Sequence, residues 1–162
     1  MHDTAPGPGW RDDWRTQARR EVRYHLEGLE GRSVRAPVRQ VRRALRELVA
    51  LEGLPLAVTH GDYQPYNWRS RSRRDLSVFD FGQAALRPAV HDLTRLRYSV
   101  CWGRPQLLES FISGYGRPLS EDERRYLELS LVIRATIGLN LGELRGRPVM
   151  VEHARRVLRQ SR

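Results

Sequence analysis

The chain has 162 residues, of which 40% are hydrophobic, so it is long enough to bury the core of one domain and too apolar to be disordered throughout. No apolar run is long enough for a membrane helix, no signal-peptide pattern opens the chain, and there is a single cysteine, so we expect a cytoplasmic protein with no membrane partner. The formal net charge is +10 and all 29 basic residues are Arg, which favours nonspecific attraction to polyanions.

Helical spacing of apolar residues predicts two helices in the first third of the chain. Residues 1–9 contain the helix breakers of APGPG, and we expect them to form a flexible lead-in to a domain that spans residues 10–162. The first helix is predicted from Trp10 to about Leu29, and the second follows Ala36-Pro37. The Arg residues of the second helix lie largely off its apolar face, so we expect them to be solvated.

The pattern then changes to β structure. LPLAVTH and LSVFDF are each typical of a short strand, and we expect them to be joined through a polar loop and RSRSRR, residues 69–74. The Arg-rich segment has no aromatic residues between its charges that could stack on bases, so we interpret it as a solvated hairpin tip. We expect no specific nucleic acid as a partner.

Beyond Pro88 the pattern is helical again. HDLTRLRYSVCW and RPQLLESFISGYG each predict a helix, and Ser120 with Glu123 forms a capping box that opens a long helix to about Leu144. A last helix is predicted from about residue 148 to residue 159. The predicted fold class is therefore α+β, mostly α, with a small central β-hairpin that carries the polar loop.

Three segments resemble the motifs of the aminoglycoside phosphotransferase and choline kinase-like family. His60-Gly61-Asp62-Tyr63-Gln64-Pro65-Tyr66-Asn67 resembles the family's catalytic loop, H-G-D-x-x-x-x-N, and Asp80-Phe81-Gly82 resembles its magnesium-binding motif. RPAVHDLTRL is similar to the segment in which an Asp begins the following helix. The resemblance covers roughly residues 55–97. It implies the helical C-terminal lobe of a protein kinase-like fold.

The resemblance also implies a role for each polar residue. Asp62 would be the catalytic carboxylate that orients an acceptor hydroxyl and can take its proton. Asn67 and Asp80 would bind Mg²⁺ through oxygen atoms, while His60 and Asp92 would support the catalytic loop. The implied reaction transfers the γ-phosphoryl group of ATP or GTP to a hydroxyl of a small molecule. Gly in place of the Arg of protein-kinase loops favours a small acceptor over a protein.

Some parts of such an enzyme have no counterpart in the sequence. There is no Lys, and neither glycine pair, at 7–9 or at 114–116, follows a strand, so no nucleotide-binding residue is identified. We therefore expect a C-terminal lobe without the N-terminal β lobe, either as a truncated chain or with that lobe supplied by a partner chain. On this interpretation the chain alone has weak or no activity.

Two other interpretations remain open. The first is a noncatalytic remnant of the kinase-like fold that acts as a binding or scaffold module. The second is a metal-dependent phosphohydrolase built on His91-Asp92, although the remaining His residues give no persuasive ligand set. Each motif residue alone also suits a turn or a strand end, and only their order and spacing favour a phosphotransferase site.

Overall fold

The computed structural model describes residues 13–30, 37–72 and 75–161. The predicted lead-in 1–9, the predicted helix start at Trp10 and the end of the Arg-rich segment lie outside the described residues. The helices are α1 (Trp14–Glu27), α2 (Val38–Ala50), α3 (His91–Ser99), α4 (Pro105–Gly114), α5 (Glu121–Leu144) and α6 (Pro148–Gln160). The strands are β1 (Leu56–Thr59), β2 (Trp68–Ser72), β3 (Asp75–Val78) and β4 (Ala85–Pro88), and a 3-10 turn covers Pro65–Asn67. The mostly helical α+β class is confirmed.

Helix α5 forms the centre of the core. Every residue from 129 to 140 is buried, because α1, α2, α3 and α6 all contact this helix. A helix that is covered on all sides is apolar around most of its circumference, which explains the long run LSLVIRATIGL. No described helix combines the length and the apolarity that crossing a bilayer requires.

The sequence signals of α2 and α5 are confirmed. Helix α2 buries Val41, Ala44 and Leu48, and its Arg residues at positions 39, 42, 43 and 46 are exposed. At the start of α5 the Ser120 hydroxyl accepts the Glu123 N–H, and the Glu123 carboxylate accepts the Ser120 N–H at 2.9 Å. This reciprocal pair satisfies two donors that the first turn of a helix would otherwise leave unpaired.

The prediction of a single central hairpin is wrong. The two predicted strands, β1 and β3, do not pair with each other: β1 pairs antiparallel with β4, and β2 pairs antiparallel with β3. Strand β2 comes from the Arg-rich segment, which is exposed and lacks apolar alternation, and β4 is short and ends at Pro88. The polar loop therefore connects two small sheets, with β1 before it and β2 after it.

Candidate functional site

The polar loop is fixed by the first turn of α3. The Asp92 carboxylate accepts the backbone N–H of His60 at Oδ2 and that of Gly61 at Oδ1, both at 2.8 Å. An acidic residue in the first turn also interacts favourably with the positive end of the helix dipole. One side chain thus ties the start of the loop to the helical core.

Gly61 lies where no other residue fits. Its φ is +81°, in the left-handed region, and a Cβ atom built on it would lie 2.3 Å from the backbone oxygen of Gln83. The chain before β4 therefore passes directly against the loop. The local backbone therefore requires glycine at this position, whether the phosphate acceptor is a small molecule or a protein.

His60 uses both ring nitrogens inside the protein. Nε2–H donates to the carbonyl oxygen of Phe79 at 2.9 Å, and Nδ1 accepts the backbone N–H of Asp62 at 3.2 Å. The neutral tautomer that carries its proton on Nε2 satisfies both bonds at once. The side chain is 4% exposed, and its ring centroid lies 4.5 Å from that of Phe81. These contacts suit a brace between two segments rather than a proton donor to a ligand.

The backbone of Phe79 joins the two predicted motifs. Its N–H donates to the carbonyl oxygen of Asn67 at 3.1 Å, and its carbonyl oxygen accepts the hydrogen bond from Nε2–H of His60. Asp80 follows immediately, with a positive φ of 64° that turns the chain away from β3. The catalytic-loop motif and the Asp80 motif are therefore held together by two hydrogen bonds of the Phe79 backbone, one to a backbone carbonyl and one from a side chain.

Asn67 and Asp80 present oxygen atoms that suit a hard cation. The buried Asn67 side chain donates through Nδ2 to the backbone oxygen of Asp62 at 2.9 Å and to Asp62 Oδ2 at 3.2 Å, which leaves Oδ1 as its acceptor end. The Asp80 carboxylate is exposed and makes no hydrogen bond or ion pair with a described residue. Amide and carboxylate oxygens are ligands that Mg²⁺ accepts, so this donor set fits the ion.

Asp62 carries the densest set of polar contacts in the loop. Its carboxylate accepts the hydroxyl of Tyr66 at 2.8 Å, the side-chain amide of Gln64 at 3.0 Å, and Nη1 of Arg95 at 2.6 Å. Burial raises the pKa of Asp62, but the Arg95 charge and the hydrogen bonds outweigh it, so the pKa lies below its ordinary value. Asp62 therefore stays ionised at neutral pH, as a carboxylate that orients a hydroxyl must.

Comparison with known proteins agrees with the motifs. The model of a family described as the phosphotransferase enzyme family matches residues 1–129. The chain belongs to this family. The match includes the polar loop, Asp80 and all of α3, and the predicted resemblance is confirmed. No curated protein and no solved structure matches the chain.

The structure brings most of the predicted site residues of this phosphotransferase family member into direct contact. His60, Asp62, Asn67 and Asp92 are linked by hydrogen bonds within one loop and its helix, while Asp80 is connected to them through Phe79. Their roles in catalysis and metal binding stay predictions.

The phosphohydrolase alternative gains no support from the described residues. Nδ1 of the partly buried His91 lies 2.9 Å from the Tyr126 hydroxyl, so one ring nitrogen has a partner within the protein. The described part of the chain has no group of three or more His, Cys, Asp or Glu side chains that could hold a metal ion.

Sequence reasoning missed the partners of Asp62. Arg95 follows Asp92 by three residues on α3, so the two side chains share a face, and that spacing was a usable signal. Gln64 and Tyr66 were visible as residues of the loop, but their contacts depend on the turn at 65–67. Nothing in the local sequence indicates that the backbone of Phe79 links the two motifs.

Proposed function

We propose that this protein transfers the γ-phosphoryl group of ATP or GTP to a hydroxyl of a small molecule, with Asp62 orienting that hydroxyl. The observation that carries the proposal is the Asp62 carboxylate, kept ionised by Arg95 and by hydrogen bonds, in a loop whose backbone is anchored by Asp92. To position an attacking hydroxyl, an enzyme needs a fixed, charged group that accepts a hydrogen bond from it, and the Asp62 carboxylate is such a group. Membership of the phosphotransferase enzyme family supports the same reaction type.

In the proposed reaction the hydroxyl oxygen forms a bond to the γ-phosphorus. The bond from that phosphorus to the oxygen bridging the β- and γ-phosphates breaks, and the nucleoside diphosphate leaves. The hydroxyl proton passes to Asp62 or to solvent. Because the lowered pKa of Asp62 makes it a weak base, its main work is orientation. A loose phosphoryl-transfer transition state asks little of a base until late in the reaction.

The oxygen atoms of Asn67 and Asp80 would hold Mg²⁺ in this scheme. The ion would neutralise charge on the phosphates of the nucleotide. The chain's own contribution is to fix Asn67 by its bonds to Asp62 and to place Asp80 next to Phe79.

The proposal extends to the lobe that carries the site and to the compartment in which it works. We propose that residues 10–162 correspond to a protein kinase-like C-terminal lobe that works in the cytoplasm, and that an N-terminal lobe from a partner chain or from a longer form completes the nucleotide site. The absence of Lys from the sequence supports weak nucleotide binding by these 162 residues alone.

The experiment measures transfer of radiolabelled γ-phosphate from ATP by the purified chain to a panel of small polyols. We expect slow transfer that Asp62→Asn abolishes. Transfer that survives Asp62→Asn unchanged would disprove the proposed role. Binding of Mg·ATP is measured alongside by calorimetry, and we expect Asp80→Ala to weaken it. Asp75→Ala is the matched control, since Asp75 is also an exposed carboxylate of the β2–β3 region.

One observation favours a second candidate, a noncatalytic binding module. Nη1 of Arg95 lies 2.6 Å from Asp62 Oδ1, so a guanidinium occupies part of the carboxylate that an acceptor hydroxyl needs. Saturable Mg·ATP binding that depends on Asp80, without transfer to any acceptor even when Arg95 is replaced by Gln, would establish this alternative.

A further inference from the structure

A cavity of about 370 Å³ lies beside Asp62, between α3, α5 and α6. Gln64 and Arg95, which both contact the Asp62 carboxylate, form part of its wall. The volume falls within the usual range of small-molecule sites. A molecule in this cavity would therefore lie one side chain away from the carboxylate that we propose orients the acceptor.

The charged side chains in the wall are those of Arg95 and Arg134. None of the described residues that line the cavity is an Asp or a Glu. The remainder of the wall is largely apolar, with Ile137 and Leu141 among its members. An apolar cavity with a few convergent charges of one sign favours a ligand that carries the opposite charge at one end.

The two guanidinium groups have donors that the protein leaves unused. The Arg134 side chain is only 9% exposed, and its ion pair with Glu21 is long, at 3.5 Å, with no hydrogen bond to any described residue. The Nε atom of Arg95 is buried and has no hydrogen-bond partner. An unsatisfied buried donor such as Arg95 Nε is costly unless a ligand or water takes it. No nitrogen of Arg134 is both fully buried and unpaired, so a ligand or water can reach those of its five N–H donors that the protein leaves unused.

The Arg charges also act on neighbouring groups, although burial has the larger effect. Burial, followed by the charges of Arg134, Arg87 and Arg95, holds the pKa of His91 well below its usual value. Arg134 also contributes to lowering the pKa of Arg95 itself, after burial. Among the described residues, each guanidinium of the wall has one carboxylate partner, Asp62 for Arg95 and Glu21 for Arg134, and neither carboxylate lines the cavity.

We infer that this cavity binds a small anion that carries hydroxyl groups, with its carboxylate or phosphate on Arg134 and Arg95 and a hydroxyl directed towards Asp62. The inference rests on the proposed function, because it names the chemical class of the acceptor. Both anionic groups match the forked geometry of a guanidinium. A polycationic acceptor would meet repulsion from the same side chains.

The test uses four probes that share a six-carbon polyol skeleton. Gluconate is anionic through a carboxylate, sorbitol is neutral and glucamine is cationic. Glucitol 6-phosphate, the phosphate ester of sorbitol, is anionic through a phosphate. Binding to the purified full chain is measured by calorimetry at fixed ionic strength and without nucleotide. We expect gluconate or glucitol 6-phosphate to bind, whichever anion the site prefers, and sorbitol and glucamine to bind much more weakly.

Three variants assign the binding to the cavity. Arg134→Gln should weaken binding of the anion roughly ten- to a hundredfold, as expected for lost charge-assisted hydrogen bonds. Arg124→Gln, which removes an exposed charge from the same helix, should leave the affinity unchanged. Glu21→Gln breaks the ion pair of Arg134 but keeps its charge in the cavity, so the affinity should stay the same or rise. This last variant tests the inference even if Arg134→Gln does not fold.

The outcomes separate this inference from the proposed function. Anion binding that depends on Arg134, in a chain that transfers no phosphate, would support the cavity assignment without supporting phosphoryl transfer by these 162 residues alone. Equal binding of all probes, preference for glucamine, no saturation by any probe at tens of millimolar, or loss of anion affinity in Glu21→Gln would overturn the inference. Transfer of phosphate to a neutral polyol that depends on Asp62 would support the proposed function without supporting this inference.

Discussion

Replacing Gly61 by Ala should destabilise the protein far more than the same change at another left-handed glycine. Gly61 has a φ of +81°, and its added Cβ would lie 2.3 Å from the carbonyl oxygen of Gln83. Gly53, in the connection between α2 and β1, has a similar φ of +71°, and its added Cβ would meet nothing within 4 Å. The pair therefore separates the cost of backbone conformation from the cost of overlap.

The magnitude follows from these two contributions. Holding Ala in the left-handed region costs about 1–2 kcal/mol at either position. At Gly61 the Gln83 backbone must also retreat by about 0.7 Å before the contact reaches 3.0 Å, the closest that real Cβ atoms come. Forcing a backbone shift of this kind in a packed site costs about 1–3 kcal/mol more. The entropy that Ala removes from the unfolded chain is the same in both variants and cancels in their difference.

The assay is urea unfolding of the wild type and of both variants, followed by circular dichroism. We expect Gly61→Ala to lose about 2–5 kcal/mol of unfolding free energy and Gly53→Ala about 1–2 kcal/mol. Equal losses in the two variants would refute the close approach of Gln83 to the loop. The left-handed backbone would then be the remaining structural reason for glycine at this position.

Two further predictions concern the pH dependence of stability. The hydrogen bond from Arg117 lowers the pKa of the buried Glu123 below 4.5, so its contribution to stability is present above that pH and is lost as pH falls through the folded-state pKa. In urea unfolding near neutral pH, Glu123→Gln should lower the free energy of unfolding by about 1–2 kcal/mol, and this loss should shrink in acid. Glu121→Gln, at an exposed neighbouring position, is the control. An equally small loss in both variants would contradict the capping role of Glu123. Because burial and nearby Arg charges hold the pKa of His91 well below 6.5, the unfolded chain binds the proton more readily, and stability should fall as pH drops below 6.5. Thermal melts over this range should show a shallower decline for His91→Gln, and identical slopes would refute the assignment.

The sequence predicted the helices well because their apolar residues recur at helical spacing over long stretches. Helix α2 and the capped start of α5 are the clearest cases. The polar loop was predicted because all the residues of its motif lie within one short segment, residues 60–67. Strands β2 and β4 were missed because an exposed, Arg-rich strand and a short strand ending in Pro lack the alternation that identifies strands. Arg134 interrupts an apolar run, and nothing in that run predicts a binding role, because the cavity that Arg134 lines forms between distant segments.

Two Arg–Glu pairs in this fold show how structure separates a stabilising charge from one available to a ligand. Arg117 makes two hydrogen bonds to Glu123, at 2.6 and 2.7 Å, and that carboxylate also accepts the N–H of Ser120 at the start of α5. Arg134 is more deeply buried than Arg117, yet it faces Glu21 at 3.5 Å without a hydrogen bond. Because burial makes unused donors expensive, the more buried guanidinium should be the better satisfied if both pairs were only structural. The reversal of that order is the reason to look for a ligand at Arg134.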